Sequence, residues 1–389
     1  MRILMVAPQP FFEPRGTPLS VLGRLKALSQ LGHSVDLVTY HIGQDVAIQN
    51  VVVYRIPRIA FIKTISIGPS VKKLLLDAVL AAKTCKMLRE NRYDLLHTHE
   101  EASFLGILLA KVFRVKHLYD MHSSLPQQLG NFRYSRLKML VRLFDWLERK
   151  VLRSCNGVIT ICPALEKHAR GINNRVPHVM IENVASELSW DQAQVDPGED
   201  FRVKYSMEGK KIILYAGTFE SYQGIDLLID SAEQVLKRRQ DLFFWLIGGR
   251  KEQVRQYQKK IDRLGLSQFF GLTGTRPPGE IPHAVRLCHV LVSPRISGTN
   301  TPLKIYAYLR SGKPIVATNL YTHTQVLTPD VAVLVEPQPD DMAKGLLSVL
   351  ENPQLGSSLS RRAQELFESD YSFQKYLEKT EKILQMATA

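Results

Sequence analysis

The sequence predicts an α/β protein: two Rossmann-like, doubly wound parallel-sheet domains facing a central cleft. Three observations predict it. Short apolar, β-branched runs alternate with stretches of helical period almost throughout. The alternation stops once, at a polar acidic stretch, and then starts over. The length, 389 residues, suits two domains of ordinary size better than one. Strands that tolerate burial on both faces, with helices between them, mean a parallel sheet wrapped by helices.

The first series of strands is Arg2–Ala7, 35–40, 51–56, 94–97, 117–121, 158–161 and 178–181, separated by helical stretches such as 19–31, Val71–Glu90, 104–112 and 135–152. This is the expected N-terminal domain, 1–184. Residues 185–202 are polar and acidic, contain Pro197-Gly198, and read as a linker. The second series, expected to form a domain over 203–370, is Lys211–Ala216, 243–247, 269–272, 290–292, 315–317 and Val331–Val335, with helical stretches at 226–239, 252–264, 303–309 and 341–350. The end of the chain, 371–389, is amphipathic: Phe373, Tyr376, Leu377, Thr380, Ile383 and Leu384 follow helical spacing for the most part.

Composition excludes several classes. Hydrophobic residues at 45% and charged residues at 23% argue against disorder, collagen and coiled coil. The four cysteines are too few for a disulfide framework and lack zinc-like spacing. The N-terminus runs straight into an apolar strand, no apolar run is long enough to span a membrane, and a reducing, cytoplasmic setting is expected. The net charge of +14 is uneven: residues 1–183 hold 26 Lys and Arg against 13 Asp and Glu, leaving +1 for the rest. Such a one-sided field attracts an acidic partner, whether nucleic acid, an anionic membrane face or a phosphorylated substrate. No nucleic-acid-binding motif accompanies the charge, so nucleic acid is not expected.

In open α/β sheets ligands sit beyond the carboxyl ends of the strands, and five strand-end segments carry candidate chemistry. The loop after the first strand holds Arg15-Gly16-Thr17, where glycine allows close backbone approach before a helix. His97-Thr98-His99-Glu100-Glu101 and Asp120-Met121-His122 end the fourth and fifth strands and offer a polar wall for a hydroxylated substrate. No third ligand of metal-like spacing accompanies the two histidines, so no metal is expected. Gly217-Thr218 through Gln223-Gly224 could wrap a diphosphate, without matching the dinucleotide or P-loop spacing. Arg295 and Lys304 bracket Gly298-Thr299-Asn300-Thr301, combining small donors with a planar fork and a compact charge suited to phosphate oxygens. Lastly, 132–153 is a basic amphipathic stretch with Arg133, Arg136, Lys138, Arg142, Arg149, Lys150 and Arg153, and with Met139, Leu143 and Trp146 off its apolar stripe, as in helices that lie on an anionic bilayer.

Taken together these residues resemble the family 4 (group 1) glycosyltransferases of the GT-B fold. The likeness rests on 1–11, Arg15-Gly16-Thr17, the D-x-x-H-x-H segment Asp94 to His99, Asp120-Met121-His122, Glu182-Asn183, Ile247-Gly248-Gly249 and Gly274, in order along nearly the whole chain. The resemblance implies retaining sugar transfer without a required metal or other cofactor. The donor is a nucleotide-diphosphate sugar, UDP- or GDP-linked. It is held mainly by the second domain, and the last helix crosses back to the first. The expected donor-binding set is Gly16, Thr17, Gly217, Thr218, Gln223, Gly248, Gly298, Thr299, Asn300 and Thr301. His122, Arg295 and Lys304 are expected to act in catalysis, and Arg15, His99 and Glu101 stand on the acceptor side. The sequence departs from the family at Thr218 and Gln223, where an arginine and a lysine are usual, and at Thr299 and Ala307, where two glutamates are usual. The expected acceptor is an amphiphilic or anionic glycan or lipid, met at the inner face of the cytoplasmic membrane. Two rivals share the fold: a catalytically inactive scaffold subunit and a nucleotide-sugar epimerase.

Overall fold

The computed structural model describes residues 1–13, 16–62, 65, 71–126, 138–182 and 201–389. Its contacts divide the chain into two compact units, Met1–Ala185 with Phe373–Ala389, and Ser186–Ser372. Arg15, Lys63, Arg133, Arg136 and Asn183 lie outside the described residues, as does most of the expected linker.

In the first unit the strands are β1 (Arg2–Ala7), β2 (Ser34–Thr39), β3 (Val51–Arg55), β4 (Leu95–His99), β5 (Lys116–Met121), β6 (Gly157–Thr160) and β7 (His178–Met180). They pair in parallel in the order β3-β2-β1-β4-β5-β6-β7. The helices are α1 (Gly16–Gln30), α2 (Val71–Glu90), α3 (Ala102–Phe113), α4 (Lys138–Ser154) and α5 (Pro163–Ile172). Ile3 to Ala7 are at most 2% exposed, which fits a central strand covered on both faces. The strand order turns back between β1 and β4, so the loops after these two strands flank the switch point where ligands bind in such sheets.

The second unit repeats the plan with β8 (Lys211–Ala216), β9 (Leu242–Ile247), β10 (Phe270–Gly274), β11 (Val290–Ser293), β12 (Ile315–Thr318) and β13 (Val333–Val335), in the order β10-β9-β8-β11-β12-β13. Its helices are α6 (Ile225–Arg238), α7 (Lys251–Arg263), α8 (Ile281–Leu287), α9 (Lys304–Arg310), α10 (Pro339–Glu351) and α11 (Pro353–Leu366). The switch point falls between β8 and β11. The final helix, α12 (Phe373–Thr388), belongs to the first unit and lies against β5, β6, β7 and α1. Its approach is close: a Cβ on Gly157 of β6 would sit 2.9 Å from the Ala387 methyl. Lys379 on α12 pairs with Glu182 at 2.7 Å.

The structure corrects some sequence expectations. Residues 201–202, read as the end of the linker, belong to a helical turn, Phe201–Lys204, because the buried Phe201 ring anchors it against Trp245. The last strand is Val333–Val335, not Val331–Val335, since Val331 and Ala332 donate their N–H groups back to the Thr328 carbonyl in a turn. Helices α5, α8 and α11 escape the pattern reading. Each has proline in its first turn, which fits a helix start but reads in sequence as a break.

Candidate active site

In the second unit the loops after β8 and β11 meet at the switch point. Gly224 closes the first loop with φ +72°, and a Cβ there would lie 1.9 Å from the Pro294 carbonyl oxygen, so only glycine lets the loops touch. Gly248 plays the same part beneath them: with φ +128°, its Cβ would fall 1.8 Å from the Gly217 carbonyl oxygen. Tyr215 of β8 donates its hydroxyl to the Thr218 carbonyl at 2.7 Å, and the Gln223 amide reaches the Thr218 hydroxyl at 3.4 Å.

Arg295 and Lys304 behave differently within this site. The Arg295 guanidinium is wrapped by its own loop. It donates to the carbonyls of Ser297 (2.8 Å) and Asn300 (3.0 Å) and to the Thr322 hydroxyl (3.0 Å), and it stacks over Tyr222 with 5.0 Å to the ring centroid. Gly298 sits against that guanidinium, and Thr299 offers its carbonyl to Gln325 at 2.6 Å. Three donor contacts are thus committed to shaping the loop, leaving Nη2. Lys304, at the start of α9, has its Nζ buried with no hydrogen-bond partner, 3.8 Å from the centroid of the Tyr215 ring. Burial, and then the charge of Arg295, hold its amine well below the ordinary lysine value. The Thr301 hydroxyl and the Gln223 carbonyl oxygen are also buried without a partner. Ala307, on the same helix, is buried and offers only a methyl group.

In the first unit the ends of β4 and β5 build a polar cluster. The parallel register sets His99 beside Asp120, and strand alternation brings His97, His99, Asp120 and His122 to one face. The His99 Nδ1 lies 2.8 Å from the His122 Nε2, and the three imidazoles stack at 4.8 and 5.1 Å between centroids. Asp120 Oδ2 accepts from the Arg24 Nε of α1 at 2.9 Å and from His97 Nε2 at 3.2 Å. Arg24 is 1% and Asp120 0% exposed. Burial is the largest cause that lowers all three histidines, His122 to about 4, while Arg24 and then the histidines hold Asp120 well below the usual carboxylate range against burial's upward push. Glu101 pairs with Lys73, and Tyr40 with Asp77. Glu100 takes the Ser123 hydroxyl at 2.9 Å from a left-handed backbone (φ +49°), and burial pushes both Glu100 and Asp77 up to about 7. Gly16 opens α1 with φ +43° and open space around it, and Thr17 follows in the first turn.

Sequence reasoning found no third metal ligand, yet the fold supplies one: ligand atoms of His97, His99 and Asp120 lie within 4.8 Å of one another. The group does not fit a cation, because Asp120 Oδ2 already holds a buried guanidinium, and a metal there would face that charge in a low-dielectric setting. The i, i+2 spacing of His97 with His99 and of Asp120 with His122 is a legible signal for this cluster. Nothing in the sequence marked Arg24.

The family pattern described as Glycosyltransferase Family 4 matches residues 15–183, and that of the group 1 glycosyl transferases matches 198–366. The chain belongs to the family 4 (group 1) glycosyltransferases. Among curated relatives it is similar to the phosphatidyl-myo-inositol mannosyltransferase of Mycolicibacterium smegmatis, 23% identical over 94% of this chain and 89% of that protein. Among solved structures it is similar to Anabaena Alr3699/HepE in complex with UDP (TM-score 0.73, 16% identity, 99% of this chain and 100% of that one). It is also similar to WaaG, a glycosyltransferase involved in lipopolysaccharide biosynthesis (TM-score 0.70, 12% identity, 98% and 99%). This glycosyltransferase therefore has the GT-B fold, with the two-sheet architecture described above. Among the described residues, no helix is long and apolar enough to cross a membrane.

Proposed function

We propose that this glycosyltransferase moves a hexose with retention of configuration from a UDP- or GDP-linked sugar to a hydroxyl of an amphiphilic or anionic acceptor, without a metal. The observation that carries the reading is the Lys304 amine, buried and unpartnered at the switch point of the second sheet. A buried cation without an anion is costly, and a diphosphate at that point supplies the missing charge. The complex of HepE with UDP supports a nucleotide donor. A thermal-shift screen against UDP-, GDP- and ADP-sugars is the test: a donor present at 100 times its Kd is expected to stabilise the protein by about 2.7 kcal/mol. No shift with any nucleotide sugar would remove the proposal.

The bond between the anomeric carbon and the diphosphate oxygen breaks, and the acceptor oxygen bonds to the same face of that carbon. The acceptor proton passes to the leaving phosphate. Negative charge gathers on the diphosphate as the bond breaks, so a preorganised cation beside it stabilises the transition state more than the ground state. Lys304 is assigned that task, and Arg295 holds the loop in shape and offers Nη2. Gly217, Thr218, Gln223, Gly248, Gly298, Thr299, Asn300 and Thr301 surround the donor with backbone and small polar groups. Gly16 and Thr17 are also assigned to the donor. His122 is assigned to the sugar, and His99 and Glu101 to the acceptor side. Ala307 lacks the carboxylate usual in the family, which favours a second reading as an inactive scaffold. Sugar transfer by the purified chain would rule that out, and a need for acceptor would rule out an epimerase.

The acceptor is proposed to be met at an anionic membrane surface on the cytoplasmic side. Met139 (85%), Leu143 (48%) and Trp146 (55%) are exposed on α4, and Leu108 (60%) and Val112 (62%) on the neighbouring α3. Arg142, Arg149, Lys150 and Arg153 flank them. Substituting Arg142 and Arg153 together is expected to weaken binding to anionic vesicles roughly thirtyfold, at about 1 kcal/mol per cation, and salt should weaken the wild type. Equal partition into neutral and anionic vesicles would refute it.

A further inference from the structure

The histidine cluster contains more information than the placement of His122. The Asp120 carboxylate is shared unequally. Oδ2 takes both Arg24 and His97, while Oδ1 is buried without a hydrogen-bond partner, with the His122 Nε2 3.4 Å away. The His99 Nδ1 stands farther from the carboxylate, 3.9 Å from Oδ2. His99 Nδ1 and His122 Nε2, 2.8 Å apart, share one proton, and the tautomers decide which nitrogen carries it. The negative charge favours the proton on the nearer nitrogen, the one on His122, which then donates to His99 Nδ1 and leaves His99 its own proton on the buried Nε2. His122 Nδ1 is then a buried, bare lone pair, and among the described residues no group donates to it. Arg24 holds the carboxylate in place, with its guanidinium stacked over Tyr376 of α12 at 5.0 Å from the ring centroid.

We infer that Arg24 and Asp120 are positioning residues that fix His122 as its Nε2–H tautomer, so that its Nδ1 accepts a hydrogen bond from a sugar hydroxyl and turns away phosphate oxygen. A phosphate oxygen brings no proton to share with a bare nitrogen, so the diphosphate is excluded from this point and a hydroxyl is selected. The contact with a sugar rests on the function proposed above. The tautomer does not.

The groups around His122 support one neutral form. Asp120, Arg24, His97 and His99 face it, and Arg24 balances the one carboxylate. A proton on His122 would add a second buried cation beside Arg24, and burial holds the ring neutral down to about pH 4.

The test is long-range proton–nitrogen correlation on the full chain labelled with ¹⁵N-histidine, its 11 histidines resolved by single His→Gln variants. In ligand-free wild type at pH 7, His122 is expected to show a protonated Nε2 and an unprotonated Nδ1. In Asp120→Asn the pattern should average or reverse. If that variant does not fold, the double variant Arg24→Met, Asp120→Leu removes both charges with apolar groups and should give the same change. A protonated Nδ1 in the wild type, or an unchanged His122 in the variants, overturns the inference. Because the tautomer is read without ligand, failure of every nucleotide sugar to bind would overturn only the proposed function. With a bound donor or acceptor sugar, the Nδ1 resonance should move in the direction of an accepted hydrogen bond, and should stay put with the nucleoside diphosphate alone.

Discussion

Replacing Lys304 by glutamate is expected to raise the dissociation constant for a nucleoside diphosphate at least tenfold, about 1.4 kcal/mol. The amine is buried and unpartnered against the Tyr215 ring, beside a glycine loop whose Gly217 Cβ position lies 3.5 Å from it. A carboxylate at that point would repel the diphosphate across a short distance in a poorly screened site. Lys304→Met should weaken binding as well, by loss of attraction alone. Titration calorimetry adds an independent check. Burial lowers the amine in the free protein, and a bound dianion raises it again. At a pH between those two values the complex takes up a proton, so the binding enthalpy should vary with the ionisation enthalpy of the buffer. That dependence should vanish in Lys304→Met. Unchanged affinity in Lys304→Glu would remove Lys304 from the site.

Arg24→Met is expected to destabilise the first unit by about 3–5 kcal/mol, because it leaves the Asp120 carboxylate buried and uncompensated. The pair is 1% and 0% exposed with a 2.9 Å contact, so solvent does not screen it. The double variant Arg24→Met, Asp120→Leu should cost much less, since replacing a buried pair by apolar groups is often neutral. Urea unfolding followed by a probe in the first unit reads both, and an Arg24→Met loss below about 1 kcal/mol would place the pair among weak surface bridges. The pH dependence has a defined sign. Asp120 is depressed in the folded state, so its contribution is present above the unfolded value near ~4 and is lost as pH falls through the folded value. His97, His99, His117 and His122 are depressed too, and the unfolded chain binds protons to them first. Stability should therefore begin to fall below about pH 6.5, by up to ~1.4 kcal/mol per pH unit for each histidine, offset in part by Glu100 and Asp77, whose raised carboxyls take up protons in the folded state over the same range.

Much of the architecture was legible because periodicity is a local property. The apolar run Arg2–Ala7 and the helical run Val71–Glu90 became a strand and a helix with those same bounds. The alternation of such runs left few choices other than parallel sheets. Met139, Leu143 and Trp146 fell off the helical stripe in sequence and are exposed in the fold. Three of the proline-opened helices, α5, α8 and α11, were lost, since proline starts a helix and breaks one with the same symbol.

The site divides along the same line. Residue types at strand ends, His122 beside Asp120 and the glycine loops at Gly217 and Gly224, followed from the sequence because an α/β sheet always presents its strand ends to ligand. The surroundings of each charge did not. Arg24 and Asp120 are 96 positions apart, and Tyr376 arrives from the far end of the chain, so no spacing rule connects them. Arg295 and Lys304 looked like equivalent cations in sequence. Packing committed one to its own loop and left the other buried and bare, because hydrogen-bond partners and desolvation depend on which elements meet, and that is settled only when the chain closes on itself.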